Sequence, residues 1–210
     1  MKMTLLAPTG VDIGWVRNPR KGWLLLVVAT VALLFMFSAS PWASAVRESI
    51  RWAGLGLILI CIAGRTWCAL YIGGRKTRAL VTVGPYSVTR NPLYGFSIIG
   101  AFGVGAQLGS LSVALIAGAF AWIVHRMAVM QEERLLLSEH RDTFQRYLAA
   151  VPRFLPRLDL WKDAEFLDVR PRSVVTTFFD ACFFLAAVPV AELCGYVQHL
   201  GFVSVLLRLP

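Results

Sequence analysis

Two polar blocks hold the residue types that can do chemistry: LVTVGPYSVTRNPLYG at 80–95 and EERLLLSEHRDTFQRYLAAVPRFLP at 132–156. In the first, Gly84-Pro85 marks a turn. The Asn91-Pro92 pair keeps Asn91 out of the helical region and lets Pro92 begin the next helix. Arg90, Asn91 and Tyr94 therefore sit at a helix N-terminus, where spare N–H groups and the helix dipole favour an anion such as a carboxylate. In the second block, Glu132 and Glu133 supply negative charge for an ammonium or a sulfonium. Brought together, the two blocks suit a zwitterionic, amino-acid-like cofactor.

What brings them together is the stretch between them. Leu93 to Val124 runs 32 residues without a charge, about 48 Å as one helix against a hydrocarbon core of about 30 Å. A hairpin is required, turning through Gly103, Gly105 and Gly109 with Gln107 and Ser110 between them. Its limbs are short, roughly Leu93–Ala106 and Ser110–Val124, and a hairpin returns both ends to one membrane face.

The whole composition points to a bilayer as solvent. Of the 210 residues 57% are apolar and 16% charged, with a mean hydropathy of +0.64. That length holds five or six spans but no separate soluble catalytic domain. The expected fold is one all-α, multi-span transmembrane bundle over 1–210 with a cytoplasmic interfacial helical segment.

Gly22–Ala39 is the first expected span and Trp52–Gly74 the second. The second contains Arg65, whose burial at mid-membrane costs about 2.5–3.5 kcal/mol on insertion scales. Past His125 the chain turns polar and reads as a helix on the membrane surface, with Leu136, Phe144, Tyr147 and Leu148 on one side and breaks at Pro152 and Pro156. A further apolar stretch, 173–207, is expected as an extra hairpin turning near Glu192 to Gly195, its last limb 196–207 too short for a confident crossing.

Charge placement orients the bundle. Lys2, Arg17, Arg20 and Lys21 precede the first span. Arg75, Lys76, Arg78 and Arg90 follow the second, nine more basic residues lie from Arg126 to Arg172, and the opposite side has only Arg47 and Arg51. The N-terminus and the loops carrying the two blocks are therefore expected in the cytoplasm of a multi-pass cell membrane protein. The net charge of +9 reports topology and contact with anionic lipid rather than nucleic acid, since no aromatic-interleaved basic face accompanies it. Cys61, Cys68, Cys182 and Cys194 form no CxxC pair, and His125, His140 and His199 have no ligand spacing, so no metal site is expected.

The order GPYSVTRNPLYG, EERLLL, Tyr147 and Val-Pro-Arg at 151–153 resembles the isoprenylcysteine carboxyl methyltransferase and phospholipid N-methyltransferase superfamily, over roughly residues 54–157. In that superfamily GPYxxxRHPxYxG, a helical hairpin and EExxL…Y…VPR build a pocket for S-adenosyl-L-methionine. The resemblance implies a methyltransferase of a lipid or lipid-linked acceptor. It implies cofactor contacts from Gly84, Tyr86, Arg90, Asn91, Pro92, Tyr94, Glu132, Glu133 and Tyr147. Arg153 matches the end of the pattern, and Arg153 and Glu133 are the candidate catalytic residues, Glu133 as the base an ammonium acceptor would need. Asn91 stands where the superfamily often has histidine, which removes a titrating group at that position.

Upstream, GRTWCALYIGGRK at 64–76 sets Arg65, Tyr71 and Arg75 along the end of the second span, where they could grip an anionic acceptor. Interfacial anchoring is the alternative for such residues, and it is preferred for Trp67 and Lys76. Asp180 is either a buried hydrogen-bonded group or part of an acceptor site. Two other functions stay open: an NADPH-dependent membrane reductase with a similar helical core, and a non-catalytic membrane scaffold.

Overall fold

A computed structural model describes residues 33, 36–72, 80–139 and 141–210. Arg75, most of the first expected span and the Lys76 anchor lie outside the described residues. The rest is a helical membrane bundle. Its elements are β1 (Ser38–Ala39), α1 (Ser44–Ile72), the short α2 (Pro85–Val88), α3 (Pro92–Ala106), α4 (Leu111–Glu139), α5 (Arg141–Ala150), α6 (Pro171–Cys182), α7 (Ala187–His199) and β2 (Leu207–Arg208).

The helices α1, α3 and α4 form the core because small residues let them approach. Gly54, Cys61 and Cys68 recur at helical spacing on α1, and Gly100 and Gly103 answer Cys61 and Gly54 from α3. A Cβ on Gly103 would lie 2.6 Å from the Gly54 carbonyl oxygen, and one on Gly100 would lie 2.5 Å from Cys61 Sγ. Lipid offers no hydrophobic drive for helix association, so such close packing supplies it instead. On the other side of α3, Gly105 meets the backbone of Ala114, and Gly118 of α4 receives the Phe102 ring.

The expected hairpin is present. The chain turns at 107–110, with Gly109 at φ +68° and Ser110 Oγ accepting from the Val113 N–H. The second limb differs from expectation, since α4 does not end at Val124 but runs on to Glu139. The change in composition there marks a change of solvent, while Met, Ala, Gln, Glu and Leu all continue a helix readily. From Leu111 to Glu132 the helix rises about 32 Å at 1.5 Å per residue, which places Glu132 at a membrane face. α5 follows and stops before Pro152, as proline at that point requires.

The C-terminal hairpin expected over 173–207 is corrected. Pro171–His199 is a single rod of 29 residues, α6 and α7 joined by a 3₁₀ turn at Phe183–Ala186, and it passes straight through Glu192 to Gly195. Glycine inside an apolar segment breaks a helix less readily in lipid, where every backbone group must find its partner along the helix. After the rod the chain turns at Gly201, φ +77°, and β2 pairs in parallel with β1. Residues 196–199 belong to the rod and 200–207 are not helical, so no second limb forms. Three described helices are long and apolar enough to span a membrane, Ser44–Ile72, Leu111–Ser138 and Pro171–His199, and α3 is a shorter apolar helix between them.

Candidate active site

The two polar blocks meet where α1, α3 and α4 end together. Asn91 has φ −129° and ψ 52°, outside the helical region, and Pro92 opens α3. Across the hairpin, Tyr94 donates its hydroxyl to Glu132 Oε1 at 2.6 Å. Arg90 Nη1 stands 3.0 Å from Glu133 Oε1. Arg153, from the segment after α5, grips the same carboxylate with Nη2 at 2.6 Å and Nε at 3.2 Å. Both Glu133 oxygens are thus held by guanidinium groups.

Backbone contacts fasten the later segment onto the first block. Arg90 N–H donates to the Pro152 carbonyl at 2.9 Å, and Asn91 Nδ2 donates to the Arg153 carbonyl at 3.0 Å. Arg157 N–H donates to the Val88 carbonyl and Gly84 N–H to that of Lys162. The Lys162 N–H donates in turn to Ser87 Oγ. Tyr71 donates to Asp163 Oδ1 at 3.0 Å, and Trp161 stacks on Trp67 with ring centroids 5.8 Å apart. Gly84 is required here, because at φ +58° a Cβ would lie 2.1 Å from the Tyr71 ring.

Inside this frame lies a cavity of about 80 Å³. Among its lining residues are Tyr86, Arg90, Asn91, Tyr94, Glu132 and Tyr147. The remaining sequence candidates fall around it. Gly84 shapes the turn, Pro92 starts α3, and Glu133 and Arg153 form the ion cluster behind Arg90. Arg65 lies deeper, with Nη1 donating to Ser97 Oγ, and Tyr71 fastens the outer segment. Ile72, Leu80 and Phe144 are among the apolar residues of the wall. Of the pairs that fasten the outer segment, Asp163 and Trp161 escaped the sequence reading. They sit in irregular chain, where no periodicity marks which side chains face inward.

Two buried donors on wall residues have no partner among the described residues: Tyr86 Oη and Arg90 Nε. Tyr86 is only 6% exposed. Burial pushes its phenol well above the ordinary tyrosine value, so it remains a neutral donor. Burial likewise raises Tyr147, offset in part by Arg90, and Tyr147 donates to the Tyr86 carbonyl at 2.6 Å. Arg90 is lowered by burial and restored in part by Glu133. Orphaned buried donors are rare in folded proteins and call for a ligand or water. Their residues line the cavity with one carboxylate, Glu132, and two further tyrosines, Tyr94 and Tyr147, an arrangement able to hold an anionic group at one end and a cation at the other. These residues fit the amino-acid end of S-adenosylmethionine. The cavity is small beside the roughly 300–1,000 Å³ of ligand sites, so a whole nucleoside cofactor needs it to widen.

His125, which has no ligand spacing in the sequence, packs its ring 5.0 Å from that of Tyr94. Among the described residues no group of three or more His, Cys, Asp or Glu could hold a metal ion.

Residues 63–142 match the phospholipid methyltransferase family. The nickel-cobalt-cadmium resistance protein NccN of Alcaligenes xylosoxydans xylosoxydans is 31% identical over 100% of this chain and 98% of its own length. The cobalt-zinc-cadmium resistance protein CzcN of Cupriavidus metallidurans is 37% identical over 81% of this chain and 78% of its own. No solved structure matches significantly.

Proposed function

Because the chain belongs to the phospholipid methyltransferase family of integral membrane proteins, we propose that it is an S-adenosylmethionine-dependent methyltransferase of a lipid or lipid-linked acceptor at the cytoplasmic membrane face. The observation that carries this reading is the pair of buried donors without a partner among the described residues, Tyr86 Oη and Arg90 Nε, on two residues that line one cavity with Glu132.

When bound, S-adenosylmethionine supplies an electrophilic methyl group on a sulfonium. Arg90 Nε and the Tyr86 hydroxyl would hold the amino-acid carboxylate once the cavity widens, since neither has a hydrogen-bond partner to give up among the described residues. Glu132 and the faces of Tyr94 and Tyr147 balance the positive end. Glu133, with both oxygens engaged by Arg90 and Arg153, serves as the brace that aims Arg90 at the cavity. Orientation of donor and acceptor is then the main contribution of the protein to the rate. Asn91 holds the Arg153 carbonyl and so fixes the brace.

On the acceptor side we assign Arg65, a cation within a spanning helix whose Nε is buried and unpartnered. Tyr71, taken by Asp163, is assigned to fastening. The names of the two relatives add a setting: methylation in a membrane exposed to nickel, cobalt, zinc or cadmium.

The reading is tested by incubating membranes that contain the protein with methyl-labelled S-adenosylmethionine. Label should enter the lipid-soluble fraction, and a Tyr86→Phe or Arg90→Lys variant should transfer less. Label found only in soluble peptide, or in no product above a membrane lacking the protein, would contradict it.

A further inference from the structure

At the opposite end of the bundle, roughly 30 Å along α1 from Ile72 at 1.5 Å per residue, lies a second cavity of about 450 Å³. Four elements wall it: β1, the first two turns of α1, the Gln107–Leu108 turn and the last turns of α7. The C-terminal strand braces it, since Leu209 N–H donates to the Ala39 carbonyl and Gln198 Nε2 to those of Met36 and Ser38. Its volume lies within the roughly 300–1,000 Å³ of small-molecule sites.

The titratable and charged groups in its wall are Arg47, Arg51, Glu192, Tyr196 and His199. Arg51 pairs with Glu192 through Nη2, and Glu48 stands 3.7 Å from its Nη1. Its Nε is buried and has no partner among the described residues. Arg47, one turn earlier, makes no ion pair or side-chain hydrogen bond among the described residues, and its stem lies along Gly109. Two guanidiniums thus face one lining carboxylate, with donors left over on both.

From these features we propose that this cavity is a binding site for a phosphate-bearing group, separate from the methyl-transfer site. Guanidinium forks match the paired oxygens of a phosphate, and two forks on successive turns of one helix can share a single group. Arg47 provides the open fork and Arg51 Nε the buried contact. Glu192 holds the rest of Arg51 in place and competes mildly with the ligand. The position at the end of the spanning helices is that of a lipid headgroup, and a free phosphate offers the same chemistry.

The full chain in neutral detergent is titrated by calorimetry with inorganic phosphate. In a separate arm it is titrated with phosphatidylglycerol in mixed micelles, with diacylglycerol as the uncharged control. The parent should bind at least one phosphate probe and not diacylglycerol. Arg47→Gln, which keeps Cγ against Gly109, should weaken that binding about tenfold, as loss of a charge-assisted hydrogen bond implies. Glu192→Gln should tighten it. Response to inorganic phosphate marks a site for a free anion, and response in the lipid arm alone marks a headgroup site. Absence of binding in both arms, or binding that neither substitution changes, would overturn the proposal.

Discussion

The α1–α3–α4 core and the C-terminal rod are built from similar material and used differently. Ser44–Ile72 and Pro171–His199 have the same length and the same mean hydropathy, 1.9 over their most apolar windows, yet 39% of the first window is buried inside the protein and 11% of the second. The separating feature is where small residues recur. On α1 and α3 they recur at helical spacing and bring backbones together. The rod instead turns Phe179, Phe183 and Leu193 outward, each more than half exposed. Hydropathy thus reports that both helices belong in lipid, while the small-residue face reports which one carries the site.

The largest contrast should come from the charged groups. Glu133 is 12% exposed between Arg90 and Arg153, and removing one partner from such a buried cluster costs about 3–5 kcal/mol. Glu192 on the rod is 62% exposed, and an exposed pair is worth about 1 kcal/mol or less. Thermal unfolding in detergent should therefore separate Glu133→Ala clearly from Glu192→Ala. Equal losses would erase the distinction between core and rod.

A smaller contrast should appear at glycine. Gly103→Ala drives a Cβ into the Gly54 backbone and should cost about 1–3 kcal/mol. Gly195→Ala meets nothing within 4 Å and should be neutral or stabilise by up to about 1 kcal/mol through helix propensity. The same unfolding measurement checks both. Smaller again, Tyr71→Phe deletes one hydrogen bond to Asp163 and should cost about 1 kcal/mol, loosening the 157–163 segment in hydrogen exchange while the α1–α3 contact keeps its protection.

Much of this organisation was legible in the residues, for reasons that can be named. The charge-free run from Leu93 to Val124 is too long for one crossing, so a turn was forced and the glycines located it. The Asn91-Pro92 pair defined where α3 begins. Once a hairpin was required, Arg90 and Glu133 had to come to the same face. What could not be read was anything where one signal serves two physical causes. The polar change after His125 looks like a helix end but only marks the water boundary, so α4 continues. Glu192 and Gly195 look like a turn, but one is an ion-pair partner of Arg51 and the other an ordinary helical glycine. The candidate site was legible as residue types and approximate place. Which partner each group takes was not: the expectation gave Arg90 to a ligand carboxylate and Glu133 to its cation, whereas these two pair with each other, leaving Arg90 Nε and Tyr86 Oη without a partner among the described residues. That choice depends on distances of a few tenths of an ångström.

The central claim is that the cavity between the two polar blocks binds the methyl donor through its orphaned donors, and Tyr86→Phe tests it most directly. The change removes one hydroxyl that has no partner among the described residues, so no hydrogen bond among them is lost. Calorimetric titration of the detergent-purified parent with S-adenosylhomocysteine should show binding that NADPH does not displace. Tyr86→Phe should weaken that binding about fivefold, the worth of a hydrogen bond of about 1 kcal/mol, with an unchanged or slightly raised unfolding temperature. A folded parent that binds NADPH instead, or a Tyr86→Phe variant that binds S-adenosylhomocysteine as tightly as the parent, would contradict the account.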